Sequence, residues 1–177
     1  MAKIITFSRR FQNKHPKRGE PTFFVEQILN YLKIDFRDEK YFNDLCKWNR
    51  DKLAAGKIQL SDLEEFHKSL CKDIEHIKKH TIRNGIRFQK GEFFQPAVWS
   101  KNPYHSTQIL FSPLVEVKQT HKFIHLKGDF YLNFSFVFSS LKEVIATNDG
   151  LTRLDFINWF KQDMIGQVIA WSDDLPY

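Results

Sequence analysis

Lys78, Thr81 and Arg83 stand close together in the run Lys78-Lys79-His80-Thr81-Ile82-Arg83. A lysine amine partly desolvated beside a second cation has a lowered pKa and can act as a base. A threonine hydroxyl can be the nucleophile, or can hold the water that is. Such a pair needs a carboxylate to carry the proton, and Asp149 in Asn148-Asp149-Gly150 is the candidate. Each residue also has a plain structural role. A lysine in the last turn of a helix is favoured by the macrodipole, and Asp before Gly is an ordinary turn choice. Those roles do not account for Thr81 and Arg83 projecting together from one short extended segment.

A second set of residues points to anions and flat rings. Arg9, Arg10, Lys14, His15, Lys17 and Arg18 fill one loop, interrupted by Pro16 and followed by Gly19. Cations this dense repel one another unless an anion is near, so the loop is either a solvated surface or a phosphate-contacting arm with Phe11 available to stack. Trp99 and Tyr104 flank a polar loop holding Lys101 and are the preferred base-stacking candidates; alternation puts about half of the neighbouring Phe88, Phe93 and Phe94 in the core. Arg83 and Arg87 add phosphate-neutralising charge. Metal chemistry fits poorly. His76 and His80 have helical spacing, but Lys78 and Lys79 would repel a cation. His121 and His125 sit roughly 13 Å apart along a predicted strand. Gly85 and Gly91 match neither a P-loop nor a dinucleotide fingerprint. No metal or other cofactor is expected.

The 177 residues are 42% hydrophobic and 15% aromatic, with eighteen Phe and four Trp. That excludes disorder and predicts a core of large rings in a single domain covering 1–177. A formal charge of +6 and a pI near 9.3 favour anionic partners, RNA or DNA first. Cys46 and Cys71 have no metal-like spacing, lie in predicted helices and fit a reducing compartment. No run is apolar and long enough to span a bilayer, and no signal-peptide core follows Met1, so a cytoplasmic protein with no membrane partner is expected.

The elements that must position these side chains follow from periodicity. Residues 3–8 read as a strand. A helical block over 22–80 follows. Its first helix opens at Pro21-Thr22 and runs through Leu32, and its second covers 39–54 and stops at Gly56. Its third is boxed by Ser61 and Glu64, with Leu63, Phe66, Leu70, Ile74 and Ile77 as the buried stripe and Lys78 in its last turn. Strands are predicted at 91–99, 107–118, 121–127 and 130–138, the last alternating Phe130, Leu132, Phe134, Phe136 and Phe138 on one face. Ser140 with Glu143 and Thr152 with Asp155 cap two short helices, and 165–171 is a closing strand.

Three stretches together resemble a known family. Ile5-Thr6-Phe7 with Arg10-Phe11, then Lys78-x-x-Thr81-Ile82-Arg83, is similar to the opening signature of the ASCH domains, small β-barrels of the PUA-like superfamily. Ala146-x-Asn148-Asp149-Gly150-Leu151 and Gly166-Gln167-Val168-Ile169 resemble that family's closing half. The resemblance implies an α+β fold, a PUA-like mixed β-barrel whose cleft holds RNA or a modified nucleoside. One bacterial branch hydrolyses N4-acetylcytidine with a Lys, a Thr and a Glu. The motif sets the first two at Lys78 and Thr81, and the third falls on Asp149, one methylene shorter. That branch has only a short helix between its opening strand and the Thr-Ile-Arg motif; here a three-helix block intervenes, a candidate to cover the cleft, to extend an RNA track or to offer a surface to a protein partner. Three readings follow: an RNA- or nucleoside-binding module, an amidohydrolase, and a protein-interaction module.

Overall fold

A computed structural model describes residues 3–71, 73–74 and 76–177. In chain order its elements are β1 (Lys3–Thr6), α1 (Phe24–Tyr31), α2 (Glu39–Trp48), α3 (Arg50–Ala54), α4 (Leu60–Lys68), β2 (His80–Asn84), β3 (Phe93–Trp99), β4 (Gln108–Leu110), β5 (Val115–Glu116), β6 (Gln119–Leu126), β7 (Asp129–Leu132), β8 (Ser135–Phe136), α5 (Ser139–Asn148), α6 (Arg153–Trp159) and β9 (Met164–Ala170). The fold is α+β, as expected. The strands form two sheets, β1-β3-β4 with β5 also on β3, and β2-β9-β6-β7-β8. Neither closes into a barrel. The chain divides into two compact units, each discontinuous in sequence: residues 1–10, 21–76 and 93–115, and residues 11–20, 77–92 and 116–177.

In the first unit β1 runs parallel to β3, pairing Lys3 with Phe94 and Thr6 with Ala97. Helix α1 begins two residues later than Pro21-Thr22 suggests, because Phe23 takes a left-handed conformation at its N-cap, and Phe24 through Leu29 are buried. The predicted helix over 39–54 is broken at Asn49. Its buried carboxamide donates to the carbonyls of Leu45 and Leu110 (2.9 and 2.8 Å) and accepts from the Leu110 N–H (3.0 Å). The side chain thus completes a strand edge at the expense of its own helix. Gln59 and Asp62, rather than Ser61 and Glu64, form the capping box of α4. That helix stops at Lys68, where the Ser69 Oγ donates back to the Phe66 carbonyl (2.5 Å). Leu63, Phe66 and Leu70 are buried as the stripe predicts, but Ile77 is exposed and residues 76–79 are not helical. Residues 72 and 75 of the expected helix lie outside the described residues, and Cys71 lies beyond the helix end. The core of this unit joins Phe7, Phe111, Tyr41, Leu45 and Phe66.

In the second unit β9 lies between β2 and β6. Its antiparallel register aligns Thr81 and Thr120 with Ile169, and Asn84 and Phe123 with Gly166. Gly166 is required there: a Cβ would lie 2.2 Å from the Arg83 carbonyl oxygen. The predicted strand over 107–118 is two short strands, β4 and β5. The predicted strand over 130–138 is a hairpin, because Asn133 and Phe134 both take positive φ (49° and 70°) and reverse the chain. Phe130 and Leu132 are buried while Phe134, Phe136 and Phe138 face solvent, so the expected single apolar face does not form. Helix α5 starts at Ser139 with no side-chain cap, whereas Thr152 and Asp155 cap α6 as expected (3.1 and 2.8 Å). Phe123, Phe130, Phe156 and Phe160 meet edge-on or tilted at 4.9–6.5 Å and form the aromatic core of this unit.

Candidate functional site

The second unit brings Lys78 and Asp149 together from 71 residues apart. Helix α5 ends at Asn148, and its last carbonyls need partners. The segment leading into β2 supplies them. The Lys79 N–H donates to the Asn148 carbonyl (2.8 Å), and the Lys78 Nζ donates both to the Asp149 carbonyl and to Asp149 Oδ1. Trp171, just past β9, fixes that segment by donating its indole N–H to the Lys78 carbonyl (2.9 Å) and its backbone N–H to the Lys79 carbonyl (3.1 Å). Lys78 therefore does sit at a helix C-terminus, but that of α5 and not of a helix of its own. Both members of the pair are buried, 1% and 4% exposed.

Burial decides the protonation of this cluster. Loss of water pushes the Lys78 ammonium down to about 8, opposed by the Asp149 carboxylate and assisted by Arg83. Burial likewise raises the Asp149 carboxyl, with the Lys78 and Arg83 charges pulling it back. His80, the first residue of β2, is fully buried. Desolvation first, then the Lys78 and His121 charges, holds its pKa well below the ordinary value, so it is a neutral imidazole. Its Nδ1 lies 2.5 Å from the Tyr177 Oη, which also accepts from the Asn148 Nδ2 (3.4 Å), and its Nε2 is buried without a hydrogen-bond partner. The Tyr177 ring packs edge-to-face on His80 and His121 at 5.9 and 5.6 Å.

Thr81 is buried in β2, and with Arg83 it leaves the strand on the face opposite His80. Arg83 is half-buried, and its charge reaches both members of the pair. Comparison with known proteins yields no further guide. No protein-family model, curated protein or solved structure matches this chain. The site is therefore read from its own residues.

The basic loop splits between the units. Arg9, half-buried in the first unit, donates to the Ser69 Oγ and lies 5.4 Å above the Phe66 ring; Arg10 is exposed. In the second unit Lys17 is paired with Asp155 (2.8 Å), and Arg18 is exposed. Phe11 is not free to stack on a base, because it is buried against His15 (4.3 Å) and Trp159 (5.9 Å). Arg87 is exposed at the end of the turn after β2. In the first unit Tyr104 is 85% exposed and tilted against the half-buried Trp99 at 5.4 Å, with Lys101 exposed nearby and 3.6 Å from Asp62. Phe88 and Phe94 are core and Phe93 is exposed.

Sequence reasoning singled out His80 only as a weak metal ligand and passed over Asn148 and Tyr177. It also missed a cleft of about 550 Å³ in the second unit, lined by Lys14, Asn84, Trp159, Lys161 and Met164 among others. Among the described residues no group of three or more His, Cys, Asp or Glu can hold a metal ion, and no helix is long and apolar enough to cross a membrane. In helices α1–α4 Leu60 is the one strongly exposed large apolar side chain, so the helical block offers no apolar docking patch among those residues.

Proposed function

We propose that this chain is a module of ASCH/PUA-like type, carrying a helical insertion, that binds RNA or a modified nucleoside. The reading is carried by the Lys78–Asp149 pair. Two ionisable side chains buried together, with a neutral histidine beside them, are costly to stability and concentrate where ligands are recognised or transformed. The excess of positive charge supports an anionic partner. Arg18, Arg83 and Arg87 of the second unit and Arg10 and Lys101 of the first are the cations assigned to phosphate, with Trp99 and Tyr104 as the stacking pair. The test is binding of a short single-stranded RNA over a range of salt. Affinity that falls steeply with salt is expected, and salt-independent or absent binding overturns the reading.

A second reading is favoured by one observation, the depressed Lys78 amine in contact with Asp149. In an amidohydrolase acting on N4-acetylcytidine, neutral Lys78 would take a proton from water or from the Thr81 hydroxyl as oxygen attacks the acetyl carbon. Asp149 would relay that proton to the departing amine, releasing cytidine. Attack by water gives acetate directly; attack by Thr81 gives an acetyl ester that a second water, activated by Lys78, hydrolyses to acetate and the free Thr81 hydroxyl. Incubation with N4-acetylcytidine, followed by mass spectrometry, checks it. Turnover abolished by Lys78→Ala and Asp149→Ala makes the protein an enzyme. RNA binding without turnover leaves the pair a recognition element.

A further inference from the structure

The sheet β2-β9-β6-β7-β8 is packed on one face, where Phe123 and Phe130 meet Phe156 and Phe160 at 5.4–6.5 Å. An antiparallel sheet packed on one side ordinarily turns polar residues outward on the other. This sheet does so only in part. The register sets Ile165, Ile124, Tyr131 and Phe136 side by side in one row across β9, β6, β7 and β8, on the outward face. Leu126 lies two residues beyond Ile124, and the Phe138 ring meets Phe136 edge-on at 5.2 Å. Further along β9 the same face is closed, because the buried Gln167 carboxamide bonds to the backbone of Arg87 and Phe88 at 2.7–2.9 Å. The row itself faces solvent. Phe138 is 69% exposed, Ile165 58%, Leu126 47% and Phe136 43%, with Tyr131 and Ile124 half-buried between them.

At about 200 Å² for a whole aromatic side chain, these six residues expose roughly 500 Å² of apolar surface. Monomeric proteins rarely leave more than a few hundred Å² together. A standard interface covers about 800 Å² of each partner and is about 60% apolar, so this patch supplies the apolar share of one. Two charges say what covers it. Lys122 and Asp129 stand on the same outward face at opposite sides of the row, one beyond Ile124 and the other beside Leu126. A two-fold axis running along the row turns one copy end for end above the other, and sets Lys122 of each beside Asp129 of its mate. We propose that this face joins two copies of the chain in a symmetric dimer, sheet on sheet about 10 Å apart. Ile124, Leu126 and Ile165 offer no ring on which a base could stack, and Asp129 within the patch repels the phosphates of RNA or of a lipid surface alike. The dimer stands apart from the nucleoside reading.

Sedimentation velocity from about 1 to about 100 μM tests it, since interfaces of this size span μM to pM affinities. Wild type is expected at twice the 21.1 kDa of one chain. Ile165→Glu sets two carboxylates against each other on the axis; Lys122→Glu and Asp129→Lys each bring like charges together at both ends. Each variant is expected to weaken the dimer at least about tenfold. Circular dichroism should not change, because none of the three side chains is buried. Lys122→Glu and Asp129→Lys mixed in equal amounts restore opposite charges at both contacts, so a mixed dimer should form at concentrations where each alone is a monomer. Wild type monomeric throughout overturns the proposal, and should Phe138→Ser then weaken RNA binding, the face belongs to the strand instead. A dimer that Ile165→Glu leaves intact uses another surface, and a mixture that stays monomeric removes the two-fold pairing; either result overturns it.

Discussion

Lys78 has two descriptions that make opposite predictions. As a cation satisfying the end of α5 it should stabilise the fold; as half of a fully buried ion pair it is an expense that apolar side chains would avoid. Lys78→Ala strands the Asp149 carboxyl and is expected to lower unfolding free energy by about 3–5 kcal/mol in urea titration. The double change Lys78→Met with Asp149→Leu removes both charges and is expected to be neutral or about 1–4 kcal/mol more stable. A double variant that is stable but no longer binds ligand identifies the pair as kept for function. A double variant as crippled as Lys78→Ala identifies it as a structural cap. The pair also leaves a pH signature. Burial holds folded Lys78 near 8, against about 10.4 in the unfolded chain. Between these values the unfolded chain binds a proton that the folded one does not, so stability rises with pH across that window. Wild type measured at pH 7.5 and 10 should show the rise, and the double variant should lack that part of it. The partnership was legible because Lys-x-x-Thr and Asn-Asp-Gly are local patterns that resemble a known site. The His80–Tyr177 contact spans 97 residues and ends in irregular chain, so no periodicity announced it.

At the scale of elements, helices and strands were foreseen where one pattern ruled and mistaken where a single residue overrode it. Five Phe and Leu in strict alternation predicted one long strand, yet Asn133 and Phe134 turn the chain back between β7 and β8. Asn favours such a turn; Phe does not, and the alternation hid it. Phe134→Gly should relieve about 1–2 kcal/mol of left-handed strain and lose about 0.5 kcal/mol from the Lys122 ammonium 4.3 Å above the ring. A net gain of about 1 kcal/mol in denaturant titration is expected, and a loss would mean the exposed ring packs in a way its exposure conceals. Asn49 overrode a helix in the same manner by bonding to Leu110. The closing strand was foreseen to within a residue, but not the reason for its glycine. Gly166→Ala drives a methyl into the Arg83 carbonyl and should cost about 1–3 kcal/mol through overpacking. Because Thr81 and Arg83 ride on the displaced strand, ligand affinity should fall with stability. A stable Gly166→Ala protein with intact binding would separate β2 from the site.

Over the whole molecule the charge of +6 predicted an anionic partner, but composition cannot say which cations are spoken for. The fold does. Lys17 is held by Asp155, Arg9 by Ser69 and Phe66, and Lys101 lies 3.6 Å from Asp62; the Arg10 side chain of the first unit and those of Arg18 and Arg87 in the second reach the surface, where a phosphate can meet them. Each phosphate contact to a single strand contributes about 0.7 to the slope of log affinity against log salt. Arg18→Ala should therefore lower that slope by about 0.7 if its guanidinium meets a phosphate. Lys17→Ala should leave the slope nearly unchanged and instead cost about 1 kcal/mol of stability, since it removes the half-exposed cation of an ion pair. The same arithmetic maps the footprint. Should Arg10→Ala and Arg18→Ala each lower the slope and do so additively, the strand engages both units. Should only the second unit's cations count, RNA is read beside Lys78 and Asp149 alone, and Trp99, Lys101 and Tyr104 lose their assigned part. A slope that none of these substitutions moves would place the anion elsewhere, with the Lys14 and Lys161 cleft the next surface to substitute.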